Sequence, residues 1–214
     1  MEPTKGMDLR KWKSQDALKR AFWKLLEEIG YCKINVRNIT TASELNPKTF
    51  YRNYENMEAL MKEALQDLFA EVASPFASFS DPNAEIDPDL FEKCTYEYIK
   101  IVKNEQNRLR LVFENHLEGF AQDVWKQMYV ITAPDFVVLG PGASPILSDR
   151  TSLDLFSNYT AFGTWAHLEW TLRHADLPVE DLLPRTMDAY SAYLYNYYVG
   201  YRIGERFTTA KTTH

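Results

Sequence analysis

The chain has 214 residues, a formal net charge of −6, and is 45% hydrophobic and 14% aromatic. That is enough apolar matter for one large or two modest packed domains, which excludes a disordered chain. No apolar run approaches the roughly 18 residues that would suggest a membrane span.

The charge is unevenly placed. Residues 1–62 hold 12 Lys and Arg against 8 Asp and Glu, whereas residues 63–214 hold 12 against 22. A basic head on an acidic body is the asymmetry expected when only one end meets a polyphosphate. Cys32 and Cys94 fit no CxxC spacing, and the N-terminus carries no apolar signal-like run. Two reduced, packed thiols and a cytoplasmic location are therefore expected.

In chain order, the arm Met1–Lys13, with Lys5, Arg10, Lys11 and Lys13, reads as a tail. The first helix is predicted from Ser14 to Ile29, because Ala17, Leu18, Ala21, Phe22, Leu25, Leu26 and Ile29 repeat at the helical period before Gly30 stops it. Asn35 then caps a short helix from Val36 to Ser43. After a break, Asn46 caps a second, Pro47 to Tyr54, in which Pro47 takes the first helical position without losing a hydrogen bond. Phe50 and Tyr54, four apart with Leu45 ahead of the cap, are predicted to dock inward. Lys48, Thr49, Tyr51, Arg52 and Asn53 are then left outside, a set that suits phosphate oxygens and base edges. Asn56 opens a fourth helix, whose stripe is Leu60, Met61, Ala64, Leu65, Leu68, Phe69 and Val72 and which ends near Ser74.

Taken together, Leu18–Leu65 resembles, without a gap, the N-terminal DNA-binding domain of the TetR family of bacterial transcriptional regulators. The markers are the Gly30-Tyr31 helix stop, Val36-Arg37-Asn38-Ile39, Thr49-Phe50-Tyr51 in the recognition helix, and Asn56-Met57-Glu58-Ala59-Leu60. Lys48 stands where the family usually has a small residue, Asn53-Tyr54 replaces His-Phe, and Met57 replaces a common phosphate-binding Lys. The resemblance implies an all-α protein with a three-helix DNA-binding domain over residues 1–62. A helical effector-binding and dimerisation domain would follow over residues 63–214, with the fourth helix coupling the two. Arg37, Lys48, Tyr51 and Asn53 are expected at or near bases, and Asn35, Thr49 and Arg52 on phosphates.

Residues 75–88, rich in Ser, Asp and Pro, read as a loop. Helical patterns resume at Asp89–Asn104, Gln106–Asn115 and His116–Ile131, and residues 132–147, with three prolines and two glycines, read as another loop. Aromatic and lone polar side chains at Phe91, Tyr96, Tyr98, Phe113, His116, Phe120, Trp125 and Tyr129 are candidates to line an effector cavity, alongside the ordinary reading of packed core. Two long helices close the pattern, Ser152–His174 and Val179–Ile203. Leu155, Tyr159, Phe162, Ala166, Trp170, Met187, Tyr190 and Leu194 carry more apolar surface than one core needs. A second copy of the chain can absorb it in a four-helix bundle, and in the resembling family this helix pair is the dimer interface.

Catalytic patterns do not emerge. His167 and His174 lie too far apart on one helix to chelate as an i, i+4 pair, and there is no HExxH, GxSxG or P-loop. No enzyme activity, cofactor or metal is expected. The expected partners are double-stranded operator DNA, a small-molecule effector of unknown identity and a second copy of the chain, acting together as a repressor. The rival is a ligand- or protein-binding helical dimer whose head has lost DNA recognition, a reading that the missing lysine at Met57 keeps open.

Overall fold

The computed structural model of the chain describes residues 9–80, 87–136 and 150–190. Every regular element among them is helical. In order these are α1 (Leu9–Ile29), a 3-10 turn (Tyr31–Lys33), α2 (Val36–Ala42), α3 (Pro47–Asn53), α4 (Met57–Ala73), a 3-10 segment (Ser74–Ser80), α5 (Pro88–Asn104), α6 (Gln106–Glu114), α7 (Glu118–Phe136) and α8 (Arg150–Arg173). A last helix, α9, covers residues 179–190. The protein is all-α, as its sequence periodicity requires.

The described residues fall into two compact units. One comprises the chain up to Ser74 together with Asn104–Met128; the other comprises Pro75–Lys103 together with the chain from Tyr129 onward. In the first, α1 packs against α2, α3, α4 and α6. Its buried stripe, Ser14, Leu18, Ala21, Phe22, Leu25 and Leu26, follows the helical period. It is met by Ile39 and Thr40 of α2, Phe50 of α3, Tyr54, and the stripe of α4 from Leu60 to Val72. Leu109 and Val112 of α6, with Leu117, Ala121, Val124 and Trp125, extend this core, and the Phe69 and Trp125 rings meet edge to face at 5.2 Å. Each fully buried Leu or Phe here contributes about 1.5–3 kcal/mol relative to exposure.

Three asparagines start three successive helices. Asn35, Asn46 and Asn56 each accept, through the side-chain oxygen, the backbone N–H three residues on, at 3.0, 2.8 and 2.9 Å. Those amides have no partner inside the helix, so each cap holds its boundary by about 1 kcal/mol. Asn38 returns the bond to the Asn35 N–H at 3.0 Å, completing a capping box at α2.

The second unit is built on α5, α8 and α9. Cys94, Thr95, Tyr98, Ile99 and Val102 of α5 are buried, as are Ala161, Trp165, Leu168, Thr171 and Leu172 of α8, and Ala175, Val179, Leu182 and Thr186 beyond it. Lys103 Nζ donates to the carbonyl oxygens of Ala175, at 2.6 Å, and Leu177, closing the end of α8.

The element boundaries differ from the sequence reading most in three places. Helix α1 begins at Leu9 rather than Ser14, residues 74–80 form 3-10 turns rather than a loop, and α7 continues past Ile131 to Phe136. The part of the predicted arm before Leu9, residues 137–147 of the predicted loop and the predicted last helix beyond residue 190 lie outside the described residues.

Candidate nucleic-acid interface

The turn between α2 and α3 is fixed by backbone geometry. The Leu45 N–H donates to the Thr40 carbonyl at 2.9 Å and the Glu44 N–H to the Thr41 carbonyl at 3.3 Å, with Glu44 at φ 56°. This is a Schellman closure in which Glu44 occupies the left-handed position that glycine usually takes. The chain then passes straight to the Asn46 cap, and Pro47 sets the first turn of α3.

Helix α3 is anchored from inside by Phe50, which is fully buried, and by Tyr54, which ends it. The opposite side is open. Tyr51 is 60% exposed, and Lys48 and Arg52 are exposed too, with Tyr51 three and Arg52 four residues after Lys48. Arg37 on α2 is also exposed. Helix α3 carries two cations and no carboxylate, although Glu44 and Glu55 flank it. A phenol between an ammonium and a guanidinium can hydrogen-bond base edges, stack on sugars and hold phosphate oxygens.

Asn53 departs from the expectation of an outward, base-contacting side chain. It is half-buried, and its Nδ2 donates to the Thr49 carbonyl at 2.8 Å and to Ser14 Oγ on α1 at 3.2 Å. Ser14 is itself buried and donates to the Lys11 carbonyl at 2.8 Å. The last turn of α3 is thereby tied to the first turns of α1, where Arg10, Lys11 and Lys13 are exposed. Two other expected contacts carry local bonds: the Asn35 oxygen caps α2, and the Thr49 hydroxyl donates to Asn46 Oδ1 at 3.1 Å.

Behind the face, Lys19 of α1 bonds Glu63 at 3.1 Å and Asp67 of α4. Burial works against the Lys19 charge, but the hydrogen bonds it donates to Asp67 and Glu63, with their negative charges, outweigh it and raise its pKa. Tyr54 lies within the field of the same carboxylates. Burial first, and then Glu63 and Asp67, push its phenol far above the usual range, so it stays neutral.

The expected effector-lining residues belong to both units. Phe91 and Tyr98 belong to the second unit, whereas Phe113, His116, Phe120 and Trp125 belong to the first. His116 is exposed and sits at φ 56° in the turn after α6. There its N–H donates to the Phe113 carbonyl at 3.1 Å and the Leu117 N–H to the Val112 carbonyl at 2.9 Å, so it serves as the left-handed residue of a second Schellman closure. Tyr96 lies outward against Glu180 and Lys100, and the side chain of Tyr129 lies outside those described.

His167 was read from the sequence only for metal-ligand spacing, yet it is the centre of the polar core of the second unit. Its ring stacks on Tyr98 at 5.1 Å; Nδ1 meets Tyr190 Oη at 3.1 Å, and Nε2 meets Thr186 Oγ1 at 3.2 Å and Thr171 Oγ1 at 3.4 Å. Burial pulls its pKa down from 6.5 to about 4, so the imidazole is neutral at pH 7. Phe91 joins the cluster edge to face with Tyr190 at 5.4 Å. Thr171, one turn after His167, was the available sequence signal. Among the described residues, no group of three or more His, Cys, Asp or Glu could hold a metal ion.

The predicted interface residues divide. Leu155, Tyr159 and Phe162 of α8 are 71%, 65% and 59% exposed, and Ala166 is exposed on the same stripe. Trp170 and Tyr190 instead pack against His167 inside the unit, Met187 is half-buried, and Leu194 lies outside the described residues. No helix among the described residues is long and apolar enough to cross a membrane.

No family model matches the chain. It is 34% identical over 83 residues to the HTH-type transcriptional regulator YxbF of Bacillus subtilis (strain 168). That match covers 38% of this chain and spans 22% of the length of the regulator. Among solved structures, the dihydroxyacetone kinase operon activator DhaS aligns with a TM-score of 0.49 at 16% identity, covering 84% of this chain and 95% of that one.

Proposed function

We propose that the chain is a TetR-like, DNA-binding transcriptional regulator that reads duplex DNA with the outer face of α3. The observation that carries this reading is the α3 face itself, Lys48, Tyr51 and Arg52 exposed on a helix whose other side is locked into a core by Phe50 and Tyr54. The similarity to an HTH-type regulator and the basic balance of residues 1–62 support it. Lys48, Tyr51 and Arg37 take the bases; Arg52, Thr49 and the Asn35 cap face phosphates.

The protein works as a homodimer through α8 and α9, supported by the apolar stripe Leu155, Tyr159, Phe162 and Ala166. Two recognition helices then enter successive major grooves of a palindromic operator, with half-sites about 34–36 Å apart. It acts as a repressor, released when a small molecule binds better to the state with its heads wrongly spaced.

Anisotropy titrations of duplexes from the DNA upstream of its own gene, repeated across a salt series, test the reading. A specific duplex should bind with log K falling linearly in log salt, at about 0.9 per phosphate contacted. Binding that is absent, or equal for every duplex, would favour the rival, a helical dimer whose head no longer reads DNA. Met57 in the family's lysine position and the inward turn of Asn53 keep that rival in view.

A further inference from the structure

Asn115 ends α6, far along the chain from the recognition helix, yet its side chain completes the corner that leads into the helix-turn-helix. Its Oδ1 accepts the Tyr31 backbone N–H at 2.8 Å, while its Nδ2 donates to the Leu111 carbonyl at 2.9 Å. One amide thus satisfies an orphan donor of the α1–α2 corner while its other end is fixed on the last turn of α6, at a Leu111 carbonyl that also accepts the Asn115 backbone N–H at 3.1 Å. The Tyr31 carbonyl accepts from the Ile34 N–H at 3.0 Å, and the next residue is Asn35, the cap of α2. The Tyr31 peptide is therefore the pivot on which α2 is set, and α3 follows α2 through the Schellman turn.

Two further contacts point the same way. Gly30 has φ 75°, and a Cβ there would lie 3.2 Å from Asn115 Oδ1, so this corner needs glycine both for its backbone and for the approach of Asn115. Arg108, earlier on α6, reaches Glu71 of α4 at 3.3 Å and lies 5.9 Å from the Trp23 ring of α1. Helix α6 therefore holds α1, α4 and the α1–α2 corner at once, all within the first compact unit.

We infer that α6 is a working part of the DNA-reading unit and that Asn115 is its positioning residue, the latch through which any change in the last turn of α6 is passed to α2 and α3. The DNA consequence rests on the proposed function; the latch itself does not.

The test uses the full chain with Asn115→Ala and Asn115→Asp, the latter keeping an acceptor for the Tyr31 amide. Amide hydrogen exchange is read at Tyr31 and through α2 and α3, and duplex affinity is read by anisotropy at several salt concentrations. Asn115→Ala should speed exchange at Tyr31 and across α2 and α3 by about tenfold and weaken DNA binding by about fivefold to twentyfold, the scale of one lost hydrogen bond and its knock-on disorder. The salt slope should not change, because no phosphate contact is removed. Asn115→Asp should recover most of the Tyr31 protection and of the affinity. Wild-type exchange at Tyr31, α2 and α3 in Asn115→Ala would overturn the latch, as would an Asp variant no better than Ala. If the wild-type chain binds no duplex, the proposed function fails, and the exchange data still decide the latch.

Discussion

Phe162→Ala isolates the interface from the fold. Phe162 is 59% exposed on α8, so its removal should leave the single-chain core intact, within about 0.5 kcal/mol for a surface change. An aromatic side chain offers about 150–250 Å² for burial, so at this exposure about 90–150 Å² is free to be covered by a partner. At about 25 cal/mol per Å², that is about 2–4 kcal/mol per protomer, counted twice across a two-fold interface. Alanine keeps part of the contact and ordering the ring has a cost, which leaves at least about 3 kcal/mol, or a rise of more than about a hundredfold in the dimer dissociation constant. Sedimentation velocity over a concentration series, with circular-dichroism melts on the same samples, measures both quantities. An unchanged dissociation constant would refute the assignment of this face, and so would a variant that unfolds, since the ring would then belong to the core.

Lys48→Ala and Tyr51→Ala should each weaken operator binding by about 1–3 kcal/mol without lowering the melting temperature; unchanged anisotropy titrations would remove them from the interface. Asn53→Ala should behave oppositely, lowering stability by about 1 kcal/mol through the lost bonds to Ser14 and Thr49 while leaving the selected operator sequence unaltered. A changed base preference in a binding-site selection would show that Asn53 reads DNA after all. Burial holds the His167 pKa at about 4 against 6.5 in the unfolded chain, so the unfolded state takes the proton first as pH falls. Stability should therefore drop between about pH 6.5 and pH 4, by up to about 3 kcal/mol, and His167→Gln should lose that slope in urea titrations. Identical slopes in the two proteins would contradict the buried, neutral imidazole.

Local chemistry made α3 legible. Asn46-Pro47 announced its start, and the four-residue spacing of Phe50 and Tyr54 told which side turns inward. The same logic found the caps at Asn35 and Asn56 and the apolar stripe of α4. Features that depend on distant partners were not legible. Asn53 turns inward because Ser14, on another helix, offers it a hydroxyl, and Asn115 meets Tyr31 across the intervening chain, so neither bond has a local signature. The left-handed turn at His116 was not legible either, because no glycine marks that position after α6. The early start of α1 escaped because Leu9–Lys13 is mostly exposed and lacks the apolar stripe that reveals the rest of the helix.

Hydroxyl-radical footprinting of the wild-type protein on its selected operator, beside a Lys48→Ala/Tyr51→Ala double variant, tests most directly whether α3 reads duplex DNA. Two protected patches on one face of the duplex, centred about one helical turn or a small multiple of it apart and lost in the variant, are the predicted result. Protection that survives the double substitution, or no protection with wild-type protein, would contradict it.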